Sequence, residues 1–192
     1  MPVKDQLKTS NSAHWELRDV LLETWAANDA MNQHLLKELD PKAWCVEMRG
    51  AAGDAGRTIA EVFAHMHNCR VNWLNWNAPH LKAPAKLDAR RGTKAQAAAA
   101  LKKSGALCGV MLADALSGEP DRRVKKFSRG WGRAWPAGGT MFVYMFSHEA
   151  HHRGQILLLA RQMGYRLSRE AAGGIWNWDR LWKEQGISGK PR

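Results

Sequence analysis

A stripe of apolar and histidine side chains along residues 141–163 constrains the fold more than any other part of the sequence. Apolar residues recur there at spacings of three and four, the period of an α-helix: Met141, Met145, Ile156, Leu159 and Met163. His148 and His152 lie on the same stripe, about 40° apart around the axis and one turn apart along it. Thr140 is predicted to begin this helix and Gly164 to end it, because glycine suits the position after a helix C-terminus. The apolar face has to be buried, so we expect the two imidazoles to point into the interior.

The first of three further helices is predicted from Ser12, as N-cap, to about Leu39. Its inward stripe is apolar except for one asparagine: Leu17, Leu21, Trp25, Asn28, Met31, Leu35 and Leu39. A buried asparagine is costly unless it has a partner, so we interpret Asn28 as a hydrogen-bonded core side chain, or alternatively as a group supporting a polar site. Pro41 ends the helix, and residues 50–56 are predicted to be a flexible connection.

A second helix is predicted to begin at Thr58–Glu61, which matches a capping box, and to run to about Trp76. Its inward face reads Ile59, Val62, Met66, Cys69, Trp73 and Trp76. His65 borders that face. His67 lies about 200° around the helix from His65 and is predicted to look outward. His65, and not His67, is therefore the third candidate ligand. Cys69, one turn after His65, is either a small buried thiol or an additional soft ligand.

A third helix is predicted from a second capping-box match at Thr93–Gln96 to about Leu116. Its inward candidates are Leu101, Cys108, Met111 or Leu112, and Ala115, which indicate packing and no chemistry. A long linker, 77–92, precedes this helix. Residues 117–139 are predicted to form a structured loop with a short hairpin.

The tail carries Ile175, Trp178 and Trp182 at helical spacing, which predicts a short helix docked on the rest of the molecule. Together these predicted helices indicate an all-α, four-helix bundle. At 192 residues the chain suits one domain, with the bundle at about 12–164 and an extension at 165–192.

Composition excludes several classes of protein. No run approaches the ~18 apolar residues of a membrane span, and the polar start Met1–Thr9 does not match a signal peptide. Cys45, Cys69 and Cys108 are odd in number and widely spaced, so they form neither a disulfide framework nor a CxxC site. A reducing cytoplasm is the compartment that we expect.

Three neutral imidazoles, from His65, His148 and His152, are a set that can hold a transition metal and leave positions open to water or substrate. Zn²⁺, Ni²⁺ and Fe²⁺ all accept such ligands. A metal there would lower the pKa of a water or a thiol substrate and generate the attacking anion. The alternative is that these histidines are surface residues or hydrogen-bonded core residues.

His148, Glu149 and His152 also satisfy HExxH, the motif of zincin peptidases. In that interpretation Glu149 is the general base and a downstream acid such as Glu170 completes the ligands. A zincin normally shows a β-sheet before the motif helix, and the sequence pattern predicts no such sheet. The zincin interpretation is therefore the second choice for the metal site.

The formal net charge of +11 suggests a third possibility, a binding module for nucleic acid. Basic residues concentrate at 122–133, where Phe127 and Trp131 are interleaved with them, as on a single-strand binding surface. No known reading module accompanies this segment, so nucleic acid is the less favoured partner. The alternative is a solvated basic loop near the mouth of a pocket for an anionic ligand.

The chain resembles the DinB-like (DinB/YfiT) superfamily of four-helix metalloproteins over most of its length. The resemblance lies in Trp25–Asn28, in Thr58–His65 and above all in the pattern HxxHHRGQ at His148–Gln155. In that family one histidine of the second helix and a His-x-x-x-His pair of the fourth bind a divalent metal, often nickel or zinc. The resemblance thus implies His65, His148 and His152 as ligands.

The same resemblance implies an up-down-down-up bundle, which suits the long linker 77–92, and frequently a homodimer. Characterised relatives include thiol S-transferases that use bacillithiol, mycothiol or glutathione, and a mycothiol-dependent isomerase. We therefore expect a metal-dependent thiol S-transferase or hydrolase that acts on a small molecule such as a low-molecular-weight thiol. For Arg153 and Gln155, which match the motif, we expect a packing or supporting role.

Overall fold

The computed structural model describes residues 16–48 and 56–187. Among these residues the chain forms four long α-helices, a two-stranded sheet, a 3₁₀ turn at Pro41–Ala43 and two short α-helices. The elements in order are α1 (Leu17–Glu38), α2 (Ile59–Asn77), α3 (Lys94–Ala115), β1 (Lys126–Phe127), β2 (Trp135–Pro136), α4 (Gly139–Gln162), α5 (Arg169–Gly174) and α6 (Trp178–Glu184). The all-α prediction is confirmed.

Two clusters of buried apolar residues establish the direction of each long helix. One cluster contains the end of α1 (Leu35, Leu36) and the starts of α2 (Ile59) and α3 (Ala97), together with the end of α4 (Ala160). The other cluster contains the opposite end of each helix: the first half of α1 (Trp25), the ends of α2 (Trp73) and α3 (Leu112), and the start of α4 (Met141). Helices α1 and α4 therefore run one way and α2 and α3 the other. This is the up-down-down-up order that the family resemblance implies.

Both predicted capping boxes are present and begin their helices where the sequence pattern places them. The Thr58 hydroxyl accepts a hydrogen bond from the Glu61 amide, and the Glu61 carboxylate accepts one from the Thr58 amide. Thr93 and Gln96 make the same reciprocal pair at α3. The start of the first helix was predicted wrongly. Glu16 is extended and α1 begins at Leu17, while Ser12 and most of the predicted connection 50–56 lie outside the described residues.

The segment between α3 and α4 contains the predicted hairpin, in which two-residue strands pair Lys126 with Pro136 and Phe127 with Trp135. The predicted end of the fourth helix is confirmed at Gly164, whose φ of 83° is easily reached only by glycine. The tail forms two short helices where one was predicted. Its most buried side chain is Leu181, which packs into the core, whereas Trp178 and Trp182 are only partly buried.

A network of buried polar side chains crosses the middle of the bundle, between the two apolar clusters. Arg70 of α2 donates from Nε to Glu149 Oε1 at 2.6 Å and from Nη2 to Glu149 Oε2 at 2.7 Å. Asn28 Nδ2 of α1 also donates to Glu149 Oε2, at 2.7 Å, and Asn28 Oδ1 accepts from Arg153 Nη1 at 2.6 Å. Asn32 likewise donates from Nδ2 to Glu149 Oε2 and accepts at Oδ1 from Arg153 Nη1. Asn28 is thus a bonded core side chain, as predicted.

Gly105 of α3 is the point where this network passes closest to a helix backbone. A Cβ atom at Gly105 would overlap the Asp29 carboxylate and lie 2.7 Å from Arg70 Nη1. Gly109, one turn later, has its nearest neighbour at 3.5 Å, in the Trp25 ring. The two glycines therefore form a matched pair on one helix.

We expect Gly105→Ala to lower the free energy of unfolding by about 1–3 kcal/mol, because the added methyl group displaces buried charged groups. Gly109→Ala should leave stability unchanged or raise it by up to about 1 kcal/mol, since alanine is the better helix former. Urea unfolding followed by circular dichroism measures both. Equal stability of the two variants would contradict the close approach at Gly105.

None of the helices in the described part of the chain has the length and apolar character that crossing a membrane requires.

Candidate metal centre

Three imidazoles from two helices meet in the described structure, and they are those of His65, His148 and His152. One ring nitrogen of each lies within 4.8 Å of those of the other two. His148 Nε2 and His152 Nε2 are 3.2 Å apart, and the ring centroids of His65 and His152 are 4.6 Å apart. Two imidazole nitrogens that bind one metal at about 2.0–2.1 Å in tetrahedral geometry are separated by a similar distance. The spacing suits a shared ion.

The bundle explains how residues so far apart in sequence meet. His148 and His152 are one turn apart on α4, as their spacing requires, and α4 packs beside α2, which carries His65. Trp73, two turns after His65 on α2, packs against His148 with ring centroids 5.2 Å apart. The cluster therefore has an aromatic wall on one side.

All three imidazoles are held in the neutral form, which is the form that binds metal. Burial lowers the pKa of His65 to about 4, helped by the neighbouring charges of His152 and Arg57. Burial also lowers the pKa of His148 to about 4, with His152 and His65 adding to the effect. The pKa of His152 is lowered by burial as well, against an opposing hydrogen bond from Gln155.

A hydrogen-bond relay orients His152. His152 Nδ1 lies 2.7 Å from Gln155 Oε1, and Gln155 Nε2 lies 3.0 Å from His151 Nε2. Because an amide oxygen only accepts, Nδ1 of His152 carries the proton and its Nε2 offers a lone pair to the cluster. Gln155 thus contacts His152 directly, as a residue with the predicted supporting role would, and His151 lies at the outer end of the relay. Arg153 packs in the polar network.

We expect Gln155→Leu to weaken binding of a divalent metal about 10–100-fold, because His152 loses the partner that selects its tautomer. The fold should persist, since Gln155 is only partly buried. Gln162→Leu, an exposed change on the same helix, is the control. Titration with Zn²⁺ against a competing chelator measures the affinities, and equal values for the two variants would contradict the relay.

The zincin interpretation is contradicted by the position of Glu149. This carboxylate is fully buried, and its oxygens accept bonds from Arg70, Asn28 and Asn32. Burial opposes its ionisation, but Arg70 and the hydrogen bonds outweigh burial and keep the pKa of Glu149 low. A carboxylate enclosed in this way cannot reach a water at the histidine cluster. Glu170, the alternative ligand, is exposed and does not join the cluster.

The prediction that His67 faces outward is wrong. His67 is fully buried, with Nδ1 3.1 Å from Ser104 Oγ of α3 and Nε2 2.9 Å from the Ala85 carbonyl oxygen in the linker. The linker and α3 cover the side of α2 that faces away from α4, so α2 has two buried sides. Trp76, predicted to be inward, is 46% exposed.

Cys69 lies beside the histidine cluster and does not join it. Its Sγ lies 3.5 Å from His65 Nε2, but it is not among the three residues whose ligand atoms converge. Burial raises the pKa of the Cys69 thiol to about 11, so the thiol is protonated at neutral pH.

Contacts of the basic segment 122–133 bear on its interpretation as a nucleic-acid surface. The Arg129 guanidinium lies between two tryptophans, 4.3 Å from the Trp131 ring centroid and 3.7 Å from that of Trp135. Trp131, one of the aromatic rings that a nucleic-acid surface would offer to bases, therefore packs against an arginine of the segment itself.

The sequence patterns did not single out two charged residues of the site. Arg70 lies in α2 among apolar residues, and only the approach of α4 shows that it neutralises Glu149. Arg57, just before the Thr58 cap, could have been noticed by its proximity to His65 in the sequence, two helical turns away. Its electrostatic effect on the cluster is visible only in the structure.

Comparison with known proteins agrees with this geometry. None of the curated proteins or solved structures matches the chain significantly. The model of the DinB family matches residues 7–169, which span all four long helices and the three clustered histidines. The chain therefore belongs to the DinB family.

Proposed function

We propose that His65, His148 and His152 bind one divalent transition metal, zinc or nickel, and that the protein is a metal-dependent enzyme. The observation that carries the proposal is the convergence of one nitrogen from each of three neutral imidazoles within 4.8 Å. Zinc and nickel both accept imidazole ligands, and three protein ligands are the number typical of catalytic zinc sites.

The surroundings of the cluster fit a resident metal. Among the described residues, His148 Nδ1 is buried without a hydrogen-bond partner, and His148 Nε2 faces His152 Nε2 at 3.2 Å. The two Nε2 atoms can share a proton in a hydrogen bond, and a cation bound by both lone pairs would take the place of that proton. The fixed tautomer of His152 keeps its lone pair available for that purpose.

The reaction that we propose is transfer or hydrolysis at a small molecule, with a low-molecular-weight thiol as the favoured substrate, as the family resemblance implies. A divalent ion at this site would act as a Lewis acid that brings the pKa of a thiol or water toward neutrality. The residues of the chain hold the imidazoles neutral, and Trp73 keeps water from one side of His148.

The proposal is tested by elemental analysis of the purified chain, followed by thermal unfolding with added Zn²⁺ or Ni²⁺. A ligand that binds only the folded state raises the melting temperature. Turnover is then screened with the three thiols glutathione, bacillithiol and mycothiol. One equivalent of metal that stabilises the protein supports the site, and no thiol consumption by the loaded protein would remove the transferase assignment.

We also propose that the protein is a cytoplasmic homodimer. The three cysteines are free, as expected in a reducing compartment, and relatives of this kind frequently dimerise. Light scattering coupled to size exclusion measures the mass against 21.5 kDa for one chain.

Metal binding should persist to a lower pH than the ordinary imidazole pKa of about 6.5 suggests. Protons compete with the metal only below the pKa of the folded site, and that of His65 and His148 is lowered to about 4. We therefore expect the affinity for Zn²⁺ to change by less than about threefold between pH 7 and pH 5.5, and to fall as the pH approaches 4. Competition titrations at each pH measure this, and a steep loss between pH 7 and 6 would contradict the lowered pKa values.

A further inference from the structure

His65 of the histidine cluster lines a cleft that continues along the start of α2. A cavity of about 270 Å³ is lined by Arg57, Glu61, His65, Asn68 and Ala89. A second cavity, of about 450 Å³, shares Arg57, Glu61 and Ala89 with the first and extends to Arg90 and Cys45. Because the two cavities share three residues, they form one cleft that leads outward from His65.

Hydrogen bonds hold the walls of this cleft in place. Asn68 Nδ2 donates to the Leu87 carbonyl oxygen at 3.0 Å, and the Leu87 amide donates to Asn68 Oδ1 at 2.9 Å. This pair ties the linker that carries Ala89 and Arg90 to α2. On the opposite wall, the capping box orders Thr58 and Glu61. The cleft is therefore formed before any ligand binds.

Two arginines and two glutamates line the cleft: Arg57 and Glu61 beside His65, and Arg90 and Glu47 farther out. Arg57 and His65 line the same cavity, so the Arg57 guanidinium and the histidine cluster share one space. Arg90 adds a further cation at the outer part of the cleft.

The negative charge in the same walls is partly engaged elsewhere. Glu61 Oε2 accepts a hydrogen bond from the Thr58 amide at 2.9 Å and stabilises the start of α2. Among the residues that the structure describes, the ion pairs within 4.0 Å include neither Arg57 nor Arg90. Both guanidinium groups are exposed and can turn toward a ligand.

We propose that Arg57 and Arg90 bind the carboxylate of a small substrate whose other end, a thiol or similar donor, reaches the histidine cluster. The inference rests on the proposed metal-dependent function and names its substrate class, a carboxylate-bearing small molecule. A planar guanidinium pairs with a carboxylate through two parallel hydrogen bonds, which gives both affinity and orientation. The volume of the cleft suits a small molecule.

The test uses the full-length chain loaded with Co²⁺, whose absorption reports thiolate binding through a sulfur-to-cobalt charge-transfer band. The probes are mercaptocarboxylic acids of two to six carbons, each compared with the mercaptoalcohol of the same length. We expect at least one acid to bind about tenfold or more tightly than its alcohol, which corresponds to about 1.4 kcal/mol. The carbon number of the acid with the largest ratio of acid to alcohol affinity reports the distance from metal to carboxylate.

The double variant Arg57→Gln with Arg90→Gln should reduce that ratio to within about twofold, while the d–d bands of the bound cobalt stay unchanged. Arg91→Gln with Arg161→Gln removes the same charge from exposed positions outside the cleft and should keep the preference. Equal affinity for acid and alcohol at every length, or a ratio that survives in the Arg57 and Arg90 variant, would overturn the carboxylate site and leave the metal site standing. Failure of the wild type to bind Co²⁺ would overturn both.

Discussion

Replacing any one of His65, His148 and His152 with alanine is expected to lower the affinity for Zn²⁺ by at least about 100-fold. Each substitution removes one of the three proposed ligands, and a site of this kind binds Zn²⁺ with a free energy on the order of 10 kcal/mol. The remaining two imidazoles lose the third nitrogen of a cluster that fits within 4.8 Å. Metal content by elemental analysis and affinity by chelator competition measure the effect.

The controls for these variants follow from the structure. His80→Ala changes an exposed histidine away from the cluster and should leave metal binding unchanged. His151→Ala removes only the outer end of the relay through Gln155, so a modest loss is expected. His67→Ala is unsuitable as a neutral control because His67 is buried and bonded to Ser104. His14 lies outside the described residues.

Stoichiometric, tight binding by the His65→Ala protein would contradict the three-ligand assignment, because it would place the site on α4 alone. Retained binding after loss of His148 or His152 would contradict it equally. In all three variants the circular dichroism spectrum should stay helical, since both apolar clusters keep all their side chains.

The second large effect is expected at the buried pair of Arg70 and Glu149. Arg70→Met should lower the free energy of unfolding by about 3–5 kcal/mol, because it leaves the Glu149 carboxylate buried without its bidentate partner. Both side chains are fully buried, so water cannot replace the lost hydrogen bonds. Asp29, which also accepts from Arg70 Nη1, loses its partner in the same variant.

Chemical denaturation measures this effect, with Arg18→Met as the matched control. Arg18 lies 3.9 Å from Asp19 on the exposed side of α1, where an ion pair contributes at most about 1 kcal/mol. Arg70→Met with Glu149→Met should be less destabilising than Arg70→Met alone, because the double variant buries no unpaired carboxylate. A loss below about 1 kcal/mol for Arg70→Met would contradict the buried pair.

Local sequence patterns determined the helices and the side chains of the histidine cluster. Capping boxes at Thr58 and Thr93 act within four residues, so they begin α2 and α3 wherever those helices pack. The direction of a side chain around a helix also depends only on the 3.6-residue period. For that reason His148 and His152 could be placed on one face, and His65 could be preferred over His67, before any contact was known.

The tertiary structure alone decided what each helix face meets. Glu149 follows His148 in the sequence and fits a peptidase motif, yet Arg70, 79 residues away, takes its carboxylate into the core. His67 points away from the cluster as its period requires, but Ala85 of the linker and Ser104 of α3 cover that side. Helical period specifies direction, whereas burial and charge pairing depend on long-range packing. The distinction between a zincin base and a structural carboxylate therefore lies in the fold and not in the motif.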